Sequence, residues 1–233
     1  MSPLAIKKSF TPRYSVSLVE QITEYFTTAI IEGNLKGGQR LVENELRREF
    51  GISRAPIRES FRILEKDGFV VTFPRKGTFV RKITRKDIEE NFPIRASLES
   101  LAARLAVPQF GPEHIKEMEL AFSGMKKAVK KNDFRSYLKY HSKFHQTFIN
   151  ACKNDTLIGV LKNLRRQAIW FWFLYLYLHE AFGYSIRIHG KILDSFSRGD
   201  ADRSETLVKE HILVARDWFL KFLVIEKEEG IKQ

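Results

Sequence analysis

The chain has 233 residues, 43% of them hydrophobic, enough for one large or two ordinary packed cores and too many for a disordered polymer. Forty Lys plus Arg against 28 Asp plus Glu leave a formal charge of +12, which draws polyanions and makes nucleic acid or an acidic membrane the partner classes to weigh. The single cysteine, Cys152, excludes an internal disulfide and any Cys-rich metal site and fits a reducing cytoplasm.

Residues 1–14 are polar, carry two prolines and read as a loose arm. The opening Met1-Ser2-Pro3-Leu4-Ala5-Ile6-Lys7-Lys8 lacks the apolar core of a signal peptide, so the mature chain is expected to start near Met1. From Ser17 to Gly33, Leu18, Ile22, Tyr25, Phe26, Ala29 and Ile30 recur at helical spacing, with Ser17 as cap and Gly33 as stop. Gly37-Gly38 makes a turn, and a second helix runs from about Glu43 to Phe50, closed by Gly51.

Ser53 is placed to cap a third helix that tolerates Pro56 in its first turn, buries Ile57, Phe61 and Leu64, and ends at Gly68. Phe69–Phe73 and Thr78–Ile83 are short β-rich runs around Pro74-Arg75-Lys76-Gly77, a hairpin signal. Arg54, Arg58, Arg62 and Lys66 sit at strict i, i+4 spacing and form one basic ridge on the third helix. Arginines early in such a helix reach guanine edges or clamp phosphates, so Arg54 and Arg58 rank above Arg62 and Lys66. Arg75 and Lys76 at the hairpin tip are placed like a wing, with Gly77 permitting close backbone approach. Up to Lys82 the chain holds 15 basic and 9 acidic residues, and the remaining 151 residues hold 25 and 19. The first stretch is therefore almost twice as dense in net charge, as DNA contacts require.

Beyond Thr84 the pattern is helical in five or six long pieces, broken at Gly111-Pro112, Lys131-Asn132-Asp133, Asn154-Asp155, Gly183 and Gly199-Asp200. Ile169 to Leu178 is apolar all round, but its 10 residues fall short of the roughly 20 that span a bilayer. A buried or interface helix is the expected role, with no membrane partner. His141 and His145 are i, i+4 on the helix expected from Phe134 to Ala151, the spacing that lets two imidazoles share a metal. His189 and His211 flank the Gly199-Asp200 turn at matching distances, so three helices can converge on one point. A metal site and ordinary hydrogen-bonded core histidines both remain open on spacing alone. His114 and His179 stand outside this pattern and read as structural.

Leu35-Lys36-Gly37-Gly38-Gln39-Arg40-Leu41, Glu43-Asn44-Glu45-Leu46, Gly51-Ile52-Ser53-Arg54-Ala55-Pro56-Ile57-Arg58-Glu59 and Leu64-Glu65-Lys66-Asp67-Gly68 resemble the N-terminal winged helix of the GntR family of bacterial transcription regulators. The resemblance implies DNA contacts at Asn44, Ser53, Arg54, Ala55, Arg58, Lys76 and Gly77, with Asn44 where some members carry arginine. Arg95-Ala96-Ser97-Leu98-Glu99, Phe144-His145, Arg187-Ile188-His189 and Lys209-Glu210-His211 resemble the helical effector domain of its FadR-like branch, called FCD.

In many such domains an Asp and three His bind a divalent metal whose open positions face a small carboxylate ligand. Here His141 stands at the aspartate position, so the implied ligands are His141, His145, His189 and His211, with Zn²⁺ or Ni²⁺ favoured by imidazole. Arg95 falls where the family places a basic residue near the carboxylate, while an ion pair to Glu99 at i+4 is the competing role.

The fold expected is mainly α: an N-terminal winged helix-turn-helix of three helices plus a β-hairpin (residues 15–83), then an all-helical FCD-type ligand- and metal-binding bundle (84–227) and a tail (228–233). The function expected is a cytoplasmic, ligand-responsive regulator that binds a palindromic double-stranded DNA operator as a homodimer under control of a small organic-acid effector. A metal-dependent enzyme built on the four histidines and a regulator that senses the metal itself are the alternatives; the chain offers no HExxH, Gly-rich phosphate loop or nucleophile elbow.

Overall fold

In the N-terminal part, α1 (Leu18–Ile31) places Ile22, Phe26, Ala29 and Ile30 on its buried face. Ser17 opens it with a reciprocal cap: its hydroxyl accepts from the Glu20 amide at 3.2 Å and its amide donates to the Glu20 carboxylate at 3.1 Å. The structure is a computed structural model that describes residues 16–31, 34–82, 84–162, 164 and 179–228. The arm over 1–14, the stop at Gly33, the aromatic run 169–178 and the tail beyond Glu228 lie outside the described residues.

The chain divides at Ile83/Thr84 into two compact units. In the first, α1 and α2 (Glu43–Phe50) pack on α3 (Arg54–Lys66). Gly51 takes the left-handed φ of 66° that reverses the chain between α2 and α3. Leu46, Ile57, Phe61, Leu64 and Phe26 are all buried, with Phe26 and Phe61 ring centroids 5.5 Å apart. Ser53 occupies the cap position of α3, but its hydroxyl makes no cap hydrogen bond to that helix.

The hairpin strands are β2 (Val70–Phe73) and β3 (Gly77–Val80), shorter than the runs in the sequence indicate. They pair antiparallel with Phe73 opposite Gly77, and a third strand, β1 (Arg40–Leu41), pairs with the other edge of β3. Two residues are too few to show alternation, which is why β1 escapes a reading by pattern.

The regular elements among the second unit's described residues are all helices: α4 (Arg85–Ala106), a 3-10 turn (Val107–Gln109), α5 (Pro112–Lys130), α6 (Phe134–Ala151), α7 (155–162), α8 (His179–Ser197) and α9 (Ala201–Glu228). Side chains start these helices. Thr84 and Asp87 form a capping box on α4, His114 Nδ1 accepts from the Gly111 amide before α5, and Asp133 accepts from the Ser136 amide on α6. Within the unit α4 packs along α9 and on α6, α5 packs on α6 and α8, and α8 on α9.

Gly183 does not break the chain as the sequence indicates: α8 runs through it. One glycine costs a helix only about 1 kcal/mol, and the face carrying Phe182, Ser185, Ile188, His189 and Ile192 is buried, which outweighs that penalty.

Candidate metal centre and DNA-reading face

On the first unit, α3 turns its apolar side inward and leaves Arg54, Arg58, Arg62 and Lys66 exposed. Residues of α2 orient the first two. Arg54 Nη2 donates to Asn44 Oδ1 at 2.9 Å, and Arg58 Nε donates to Glu43 Oε2 at 2.9 Å with 62% of the arginine side chain still exposed. Such exposed pairs contribute little to stability, so their effect is to hold the guanidinium groups in place above the helix start. Arg62 pairs with Glu59 on its own helix, at 3.3 Å. Asn44, where some family members carry arginine, here acts as an acceptor that positions Arg54. Ser53 and Ala55 are exposed beside it at the start of α3.

At the hairpin tip Arg75 takes a positive φ of 62° and Gly77 one of 103°, and both Arg75 and Lys76 are exposed. Arg40 on β1 lies over the Phe79 ring at 6.0 Å, and its Nε sits 3.2 Å from where a Cβ on Gly77 would stand. Arg40 is therefore a further cation at the base of the wing. The motif containing it is visible in the sequence, but the pairing of β1 with β3 that brings it there is not.

In the second unit His141 and His145 from α6, His189 from α8 and His211 from α9 converge, one ligand-capable atom of each lying within 4.8 Å of all the others. All four are buried, none above 4% exposed. Their partners fix much of the proton arrangement. His189 Nδ1 lies 2.7 Å from the Ser185 carbonyl oxygen, which can only accept, so Nδ1 carries the proton. His145 Nδ1 lies 2.8 Å from Glu99 Oε2, and donation to that carboxylate likewise protonates Nδ1.

The two Nε2 atoms that remain face each other at 3.2 Å, and with both rings neutral each presents a lone pair. His211 Nδ1 adds a third buried ring nitrogen, with no hydrogen-bond partner among the described residues. Burial first, and then His145, pushes the His189 pKa down to about 3; burial, His189 and His145 push that of His211 well below the usual imidazole range. Both rings are thus neutral donors of an electron pair at ordinary pH, the form that ligates a metal.

This set fits a divalent ion. Metal–nitrogen bonds of about 2.0–2.1 Å at tetrahedral angles separate ligand nitrogens by roughly 3.3 Å, close to the 3.2 Å between His145 and His189. A cation between the converging lone pairs removes a contact that otherwise requires an additional proton.

Around the rings the site is built out in layers. Tyr137, fully buried on α6, places its hydroxyl 2.6 Å from Ser185 Oγ, which lies 3.2 Å from His189 Nδ1. Glu99 Oε1 accepts from Arg95 Nε at 3.1 Å and Nη2 at 3.0 Å. Arg95, the residue implied for the effector carboxylate, is therefore already paired with Glu99 at 4% exposure, and its guanidinium lies 5.3 Å from the Phe92 ring. The sequence motif contained Glu99 but offered no sign that it contacts a histidine.

Residues 90–213 match the FCD domain and residues 18–80 match the bacterial regulatory proteins of the gntR family. The chain is 29% identical over 203 residues to the HTH-type transcriptional regulator YdhC of Bacillus subtilis (strain 168), covering 86% of this chain and 88% of the relative. It is 27% identical over 199 residues, 84% of this chain and 86% of the relative, to the "Probable D-xylose utilization operon transcriptional repressor" of Paenarthrobacter nicotinovorans. Its fold is similar to that of the crystal structure of a GntR transcriptional regulator from Rhodococcus sp. RHA1, with a TM-score of 0.75 at 21% identity over 88% of this chain and 99% of that one. Among the described residues no helix is long and apolar enough to cross a membrane.

Proposed function

The chain belongs to the gntR family of bacterial transcription regulators, with an FCD domain as its second unit, and on that premise we propose that a small organic acid bound at a metal in the helical unit controls its grip on DNA. The protein works in the cytoplasm as a homodimer on a palindromic operator whose half-sites lie about 34 Å apart, one helical turn of DNA. Arg54 and Arg58 read or clamp the major groove; Asn44, Ser53 and Ala55 line its approach, and Arg75, Lys76 and Gly77 take the adjacent groove as a wing.

The observation that carries the control half is the convergence of four buried histidines, with His145 Nε2 and His189 Nε2 3.2 Å apart and one ligand-capable atom of each ring within 4.8 Å of the others. His141, His145, His189 and His211 would hold Zn²⁺, with Ni²⁺ the next fit for an imidazole set. These four residues would fill a tetrahedral set, so a carboxylate would bind as a fifth ligand by expansion of the coordination number. Four neutral ligands leave the ion's positive charge undiminished, which strengthens its attraction for an anion. Arg95 gives that anion a second anchor, shared with Glu99. The acid prefers one arrangement of the helices, and that preference is the coupling energy delivered to the DNA-reading face.

An enzyme built on these histidines would need a general base at an open metal position. The carboxylate beside the cluster, Glu99, is engaged by His145 and Arg95, which weighs against that reading.

The test is fluorescence anisotropy with DNA from upstream of the protein's own gene, titrated with and without a panel of small organic acids. At least one acid changes operator affinity by roughly 5- to 150-fold, and His189→Ala abolishes the change while leaving acid-free DNA binding in place. Affinity that follows free zinc and ignores every acid would instead make the metal itself the signal.

A further inference from the structure

Glu99 is a fully buried carboxylate whose two oxygens do different things. Oε1 takes two hydrogen bonds from Arg95, on the same helix, and Oε2 crosses to His145 on α6. A buried ion pair alone is weak evidence of purpose, because an apolar pair of equal volume often packs as well. The second oxygen is what makes this pair more than packing. It requires the His145 proton to sit on Nδ1, and it turns the Nε2 lone pair towards His189 and the other ring nitrogens.

We infer that Glu99 is a positioning residue of the four-histidine centre: acting through His145, it fixes the tautomer and ring orientation that ligation needs, with Arg95 as its counter-ion. A carboxylate that accepts from a ligating imidazole also raises that ligand's basicity, and loss of such a partner typically weakens metal binding about 10- to 100-fold. The centre thus keeps a carboxylate one imidazole removed from where the metal would sit although none stands among its four ligands. The inference rests on the metal reading above.

A matched pair of double variants separates positioning from packing. Arg95→Met with Glu99→Gln and Arg95→Met with Glu99→Leu both lack the ion pair; only the first retains an acceptor oxygen for His145. Zinc affinity is measured by competition with a chromophoric chelator, and the His145 tautomer in metal-free protein by two-bond proton–nitrogen NMR.

The Leu version is expected to bind zinc at least about tenfold more weakly than the Gln version and to lose the preference of His145 for the Nδ1 proton. Equal zinc affinities together with an unchanged tautomer would overturn the inference. If the wild-type protein takes up no zinc, the metal reading fails by itself, and the tautomer measurement alone decides the role of Glu99.

Discussion

His145 on α6 and His189 on α8 present their Nε2 atoms to each other at 3.2 Å, while Glu99 and the Ser185 carbonyl oxygen hold the Nδ1 proton of each ring. With both rings neutral the facing lone pairs are unfavourable unless a proton or a metal cation lies between them. Zinc at about 100 times its dissociation constant should therefore stabilise the protein by about 2.7 kcal/mol. For a chain of this size that raises the melting temperature by roughly 5–10 °C. Differential scanning calorimetry with and without zinc checks this, and His189→Ala should leave no shift.

Acid should destabilise the metal-free protein, and the sign follows from His189. Its folded pKa is lowered by burial to about 3 from an ordinary value of 6.5. Between those values the unfolded chain binds a proton that the folded one refuses, so stability is fully present above pH 6.5 and declines as pH falls. His211 is lowered in the same direction and adds to the loss. From pH 7.5 to 5, His189 accounts for about 2 kcal/mol. Urea denaturation of metal-free protein at pH 7.5 and 5 measures it, and His189→Ala should flatten the profile.

On the DNA-reading face the arginines should separate by position. Arg58→Ala and Arg54→Ala are each expected to weaken operator binding by about 1–3 kcal/mol, roughly 5- to 150-fold. Arg62 is bonded to its own helix through Glu59, and Arg62→Ala should stay within about threefold of wild type. Lys76→Ala should weaken operator and random DNA alike and reduce the slope of log affinity against log salt by about 1. Anisotropy titrations at four salt concentrations give all these values. Asn44→Ala tests the positioning of Arg54: a selective loss at bases that Arg54 reads is the expected result.

His141→Asp would add a carboxylate to the ligand set and remove one unit of positive charge from the centre. Zinc content should stay near one equivalent, manganese retention should rise because oxygen ligands suit harder ions, and response to an anionic effector should weaken. Metal analysis after dialysis against each ion, followed by the acid titration, reads the three effects.

Much of this was legible in the sequence, for identifiable reasons. The glycine at 51 and the apolar period of α3 define the helix-turn-helix, and equal spacing of His189 and His211 about the turn at Gly199-Asp200 predicts their meeting across α8 and α9. These are local rules. What the sequence withheld is non-local: β1 and with it Arg40, the hold of Asn44 and Glu43 on Arg54 and Arg58, and the bond from Glu99 to His145 across 46 positions. The continuous α8 through Gly183 was missed because burial of its opposite face overrides a weak propensity penalty.

Metal analysis of the purified protein shows whether the four histidines hold a metal. Wild-type protein dialysed against trace zinc should carry about one equivalent, and His145→Ala and His189→Ala close to none while remaining folded by circular dichroism. Absence of zinc and nickel from the wild-type protein, or an equal content in all three, would contradict the account.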